Sequence, residues 1–210
     1  MTSRSLLALL RLILGFLTLV AIGWQLTIQI QLGFSVVNFF SYFTNLSNVI
    51  AAVVLLLGAG RLFTRCAALE ANDPVRAVSV VNMTVVGIVF AVLLRDADLG
   101  SLLPWVNVVL HYIMPGAVVL DWLLQPPGRK LGPRHLLLCQ IFPACYLAYV
   151  LIRGSMVGWY PYPFLNPVNV GGYRGVTAYA VALAVSLLLA AWSLLALGNK
   201  LGRKAVVTSN

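Results

Sequence analysis

Apolar residues run through this chain in six long stretches, at about 6–24, 36–57, 77–94, 101–124, 135–152 and 176–197. At about 1.5 Å of rise per helical residue, each is long enough to cross about 30 Å of hydrocarbon. Short turn-rich segments separate them: Asn72-Asp73-Pro74 precedes the third stretch, and Pro126-Pro127-Gly128 follows the fourth. The pattern predicts an all-α fold, an integral membrane bundle of six transmembrane helices forming one domain over residues 1–210.

One part of the second stretch departs from its apolar surroundings. Residues 39–48 read FFSYFTNLSN, with Ser41, Thr44, Asn45, Ser47 and Asn48 close together. On a continuous helix Ser41, Thr44, Asn45 and Asn48 fall within roughly a 100° arc, which Asn38 extends. Lipid has no partner for such a stripe, so it must face another helix or a cavity.

Composition strengthens the membrane reading. The chain is 61% hydrophobic and 9% charged, whereas soluble domains carry about a quarter charged residues. The formal charge of +9 raises nucleic acid as a partner, but the basic residues are scattered over short loops, which argues for topology and against nucleic-acid binding. Arg4, Arg61, Arg65, Arg76, Arg129, Lys130, Arg134, Lys200, Arg203 and Lys204 fall on one side, against Arg95, Arg153 and Arg174 on the other. The positive-inside rule then puts both termini in the cytoplasm, in a bacterial plasma membrane if the host is bacterial. The first stretch also has leader-like features, Arg4 followed by an apolar run and Ala21-Ile22-Gly23, but Arg11 inside the run favours a span. Cys66, Cys139 and Cys145 form no paired framework, so free thiols and no metal site are expected. No organic cofactor is implied, and the sequence assigns no oligomeric state.

The external segment 154–175 carries Pro161, Pro163 and Pro167 with Trp159, Tyr160, Tyr162 and Phe164. It reads as a rigid loop at the aromatic belt, and Trp159, Tyr162 and Phe164 are candidates for a lid over an outward-opening cavity.

Depth sorts the buried polar residues. Thr44 lies about 12 Å below the external end of its stretch, and His111 about 15 Å below the external end of the fourth. Asn107, one turn above His111, shares its face. Asp121 lies about 15 Å further in and is too deep to orient His111. Its match is Arg11, in a structural ion pair. Pro115 should open the fourth helix and free the carbonyl of His111. Asn82 is expected to complete a packing contact. A membrane threonine commonly bonds its own i−4 carbonyl, and an intramembrane histidine bridges helices or acts chemically. If Thr44 acts as a nucleophile it needs an adjacent base, and His111 is the one at matching depth. Asn45 or Asn48 could then donate to an oxyanion, and Asn107 is a further positioning candidate.

FSYFTNLSN, LHYIMPGAVVLDWLL and GWYPYPFLNP together resemble the androgen-induced-protein family of six-span membrane proteins, which includes the androgen-dependent TFPI-regulating protein. The likeness is closest to that family's bacterial relatives. It covers all six stretches in order, through three short specific blocks, while the loops differ. The eukaryotic members hydrolyse fatty acid esters of hydroxy fatty acids with an intramembrane threonine nucleophile and a histidine base. The resemblance implies those roles for Thr44, which follows Phe43, and for His111, which precedes Pro115; Tyr162-Pro163-Phe164-Leu165 matches a further family segment. The family's acidic residue corresponds only loosely to Asp121.

The expected function is therefore an intramembrane threonine hydrolase of a lipid ester, with the bilayer and that ester as partners. The alternative is a non-enzymatic small transporter or lipid-binding membrane protein, with a polar pocket between helices 2, 3 and 4.

Overall fold

A computed structural model describes residues 3–64 and 73–208. Helix α1 covers Ser3–Gln31, the short α2 Val36–Phe40, and α3 Phe43–Thr64. Helix α4 runs Asp73–Leu94, α5 Pro104–Leu124, α6 Pro133–Val157 and α7 Tyr173–Thr208, with a 3-10 turn at Pro163–Leu165 before α7. Six of these, all but α2, are long and apolar enough to cross a membrane, and no strand occurs among the described residues. The chain is an all-α, integral, multi-pass membrane protein. Arg65 and Cys66 lie outside the described residues; Cys139 and Cys145 are free thiols.

Helix α4 lies at the centre, packed against α3, α5, α6 and α7. Its residues Ala77, Val80, Val81, Met83, Val85 and Val86 are all buried, while many large apolar residues on the outer faces of α1, α6 and α7 are exposed. That distribution is the membrane arrangement: lipid accepts the outer leucines and valines, and small or polar residues gather inside. Asn82, expected to make a packing contact, is buried on α4 with neither amide atom hydrogen-bonded. Small residues also set helix spacing. A Cβ on Gly15 of α1 would come within 2.7 Å of Leu56 on α3, and one on Gly87 of α4 within 3.2 Å of Pro115 on α5.

The second apolar stretch is not one helix. It stops at Phe40, turns through Ser41-Tyr42, and restarts at Phe43. Two tyrosine hydroxyls replace the missing helical partners. Tyr146 Oη donates to the Ser41 carbonyl at 2.8 Å and accepts the Phe43 N–H at 3.2 Å. Tyr162 Oη accepts the Thr44 N–H at 3.3 Å. The polar stripe inferred for a continuous helix is therefore split: Ser41 belongs to the turn and bonds Tyr149, and Thr44 stands in the first turn of α3.

Helices α4 and α5 each contain a π-turn, at Phe90–Leu94 and Val109–Ile113. Such a turn inserts a single extra residue into the helix, and these turns gather at functional sites. These two meet, because the Phe90 ring stacks on the His111 imidazole at 4.1 Å between centroids. In α5 the Met114 N–H reaches back to the Val109 carbonyl. On that register the Leu110 carbonyl faces the nitrogen of Pro115, which has no hydrogen to give. The carbonyl that gains a side-chain partner is thus Leu110's, one residue before the His111 carbonyl that a regular α register implies. Asn48 donates to it at 3.2 Å.

Candidate functional site

Thr44 occupies the wall between two cavities. The first, about 320 Å³, lies among α3, α4, α6 and α7, and apart from Thr44, Gln140 and two tyrosine hydroxyls it is lined by apolar groups such as Val86, Leu147 and Leu183. Ala144, Ala184 and Leu188 in its lining are also exposed on the lipid-facing surface, so it opens sideways between α6 and α7. The second, about 380 Å³, reaches the loops that join the spans and is lined by Gln25, Asn38, Asn45, Asp98, Ser101 and His111 among others. Thr44 and Tyr162 line both.

The hydrogen bonding of Thr44 differs from that of Thr18, Thr84 and Thr177. The hydroxyls of Thr18, Thr84 and Thr177 each donate to their own i−4 carbonyl at 2.8 Å, which is the usual structural arrangement. Thr44 has no helical turn before it and cannot do this. Its Oγ1 instead lies 3.5 Å from Tyr162 Oη, longer than a good O–H···O bond.

His111 is held by two contacts. Its Nδ1 lies 3.3 Å from the Asn107 carbonyl. A carbonyl can only accept, so this bond assigns the hydrogen to Nδ1 and leaves Nε2 with a lone pair. The Phe90 ring covers one face. Asn107 thus orients His111 through its main chain, in the place a carboxylate would otherwise take, while its side-chain oxygen is buried without a partner. The Thr44 hydroxyl and the His111 ring do not hydrogen-bond to each other; they share the polar cavity.

The two asparagine candidates hold backbone. Asn45 Nδ2 donates to the Phe39 carbonyl at 2.7 Å, which pins the turn between α2 and α3. Asn48 Nδ2 donates to both Thr44 and Leu110 carbonyls. The aromatic loop folds inward: Tyr162 and Phe164 are buried and stacked at 5.1 Å, and both line the apolar cavity. Trp159 sits at the rim of the polar cavity, edge-on to Tyr42 and beneath the Arg153 guanidinium. Arg153 also donates to Asn38 at 2.6 Å.

At the other end of the bundle Arg11 and Asp121 form a two-pronged ion pair, at 2.5 Å and 3.0 Å. Arg11 further donates to Gln125 at 2.6 Å. Arg76 joins them, with Asp121 Oδ2 at 3.2 Å and the Gln125 carbonyl at 2.6 Å, and its guanidinium lies over the Trp122 ring. Sequence reasoning used Arg76 only as one of the basic residues that set the topology. Its signal was the Asp73-Arg76 spacing, which puts both in the first turn of α4, where they pair at 3.4 Å. Tyr146 and Phe90 were also missed, since a tyrosine or phenylalanine in an apolar stretch carries no mark of which neighbour it meets. No family model, curated protein or solved structure matches this chain.

Proposed function

We propose that this protein is an intramembrane hydrolase of a lipid ester, of the type in which a fatty acid esterifies a hydroxy fatty acid. The observation that carries this reading is the position of Thr44 on the wall between a lipid-facing apolar cavity and a polar one. An ester carbonyl at that wall can lay a hydrocarbon chain in the apolar cavity while water reaches the carbonyl from the polar side. The resemblance of the Thr44, His111 and Tyr162 blocks to the androgen-induced-protein family points the same way.

In this mechanism Thr44 Oγ1 attacks the ester carbonyl while His111 Nε2 takes its proton. The imidazolium returns the proton to the leaving alkoxide, and an acyl group remains on Thr44. Water from the polar cavity then attacks the acyl carbon, gives its proton to His111, and releases the fatty acid as the proton returns to Thr44. A rotation of the threonine side chain or one intervening water brings the nucleophile to the base, as in sites whose catalytic bonds tighten only with substrate present. The orientation in this reading is both termini in the cytoplasm, with the polar cavity facing outward from a bacterial plasma membrane.

The second reading is a non-enzymatic lipid-binding protein or small transporter using the same cavities. The absence of a direct Thr44–His111 bond favours it. Turnover of a long-chain ester by purified protein, compared with Thr44→Ala, separates the two. Hydrolysis lost in the variant supports the enzyme; equal turnover in both rules out Thr44 as nucleophile.

A further inference from the structure

We propose that the Tyr162 hydroxyl is the oxyanion donor of this site, an inference that rests on the hydrolase reading above. Tyr162 comes from the loop between α6 and α7, is 7% exposed, and lies where the two cavities meet. Its Oη accepts the Thr44 N–H at 3.3 Å and keeps its own proton to give. Of the hydroxyls beside it, Thr44 Oγ1 is 3.5 Å away and makes at best a long bond, and Tyr146 gives its own proton to the Ser41 carbonyl.

That spacing is what an oxyanion donor needs. When Thr44 Oγ1 bonds to the ester carbon, the electron pair of the carbonyl π bond moves to the carbonyl oxygen, one atom beyond Oγ1. A donor to that oxygen must lie close to Oγ1 and must hold a hydrogen that no firm acceptor already takes. Tyr162 meets both conditions. Asn48 is excluded, because both of its amide hydrogens are given, to the Thr44 and Leu110 carbonyls, while Asn45 gives one of its two to the Phe39 carbonyl. Tyr146 is also excluded, since its proton is committed to the Ser41 carbonyl at 2.8 Å.

The position of Tyr162 is braced on every side. Its ring stacks on Phe164, and Tyr42 meets it edge-on at 5.7 Å. The groups near its hydroxyl are Thr44, the Phe43 N–H, Tyr42 and Tyr146. Burial pushes the phenol above its ordinary value of 10.0, with hydrogen bonds from Thr44 acting in the opposite sense. The hydroxyl stays protonated and able to donate throughout the range in which His111 can act as a base.

The test compares wild-type, Thr44→Ala and Tyr162→Phe proteins, purified in detergent, on a p-nitrophenyl ester of a long-chain fatty acid. A long-chain fluorophosphonate, which becomes tetrahedral on the nucleophile, serves as second probe. Tyr162→Phe keeps the ring and removes the hydroxyl, and with it the acceptor of the Thr44 N–H. Its kcat is expected to fall about 100-fold or more, with KM changed less than about threefold and phosphonylation slowed in parallel. A kcat within about threefold of wild type overturns the oxyanion role while leaving the hydrolase reading intact. Equal turnover by Thr44→Ala, or none by wild type, overturns the hydrolase reading itself. If Tyr162→Phe does not fold, 3,5-difluorotyrosine at position 162 keeps the contacts and makes the hydroxyl more acidic. A kcat that shifts with unchanged KM supports the proposal, and an unchanged kcat overturns it.

Discussion

The side-chain amide of Asn48 donates to the carbonyl of Leu110 at 3.2 Å, joining the helix that carries Thr44 to the π-turn that carries His111. The same amide donates to the Thr44 carbonyl at 2.9 Å. One asparagine thus sets the spacing between the candidate nucleophile and the candidate base, using a carbonyl that Pro115 leaves without a main-chain donor.

This arrangement has a thermodynamic consequence. Removing the amide with Asn48→Ala leaves a buried carbonyl unpaired and should cost about 1–3 kcal/mol of stability. In a Pro115→Ala background position 115 regains an N–H, so the same Asn48→Ala change should cost less. Chemical or thermal unfolding of the four proteins in a double-mutant cycle measures the coupling. Additive losses would show that Asn48 and Pro115 act independently.

Thr44→Ala should reduce ester hydrolysis by about 1,000-fold or more while leaving the melting temperature near wild type, because the Thr44 N–H to Tyr162 bond is retained. Thr44→Ser should keep measurable turnover, since it retains the hydroxyl. Steady-state rates on a p-nitrophenyl ester, together with a melting curve for each variant, check both statements.

The sideways opening of the apolar cavity predicts chain-length control. Ala184 on α7 lines it and is exposed on the lipid-facing side. Ala184→Trp narrows the mouth, and the preference for short over long acyl esters should rise by at least about tenfold in kcat/KM. A uniform loss across chain lengths would place the acyl chain elsewhere.

The arginine cluster is expected to matter for stability and not for chemistry. Asp121→Ala leaves Arg11 and Arg76 in a largely buried site without their shared carboxylate and should cost about 3–5 kcal/mol. Replacing Arg11 and Asp121 together by apolar residues of similar size should cost less than the single change. Activity per folded molecule should stay within about threefold of wild type, read from turnover normalised to the folded fraction.

Several features were legible from residue order alone. The six apolar stretches and their short connections required helices, because only hydrogen-bonded helices keep backbone polar groups out of lipid. The one charge of each sign inside the spans at matching depth, Arg11 and Asp121, pointed to each other for the same reason. Thr44 and His111 stood out as polar groups at similar depth. The break at Ser41-Tyr42 was not legible, because it is stabilised by Tyr146 and Tyr162, more than a hundred residues away in the chain. A helical hydrophobic pattern continues across the break, so periodicity carries no trace of it.

Sequence by itself therefore determined the class of fold, the span count and the candidate polar residues, since each depends on solvent transfer and on local helical rise. Tertiary structure decided the site: which hydroxyl meets Thr44, which carbonyl orients His111, and which side chains face the two cavities. Those are contacts between helices, and their geometry follows from π-turns and close approaches at small residues, whose effects appear only once α3, α4 and α5 are packed.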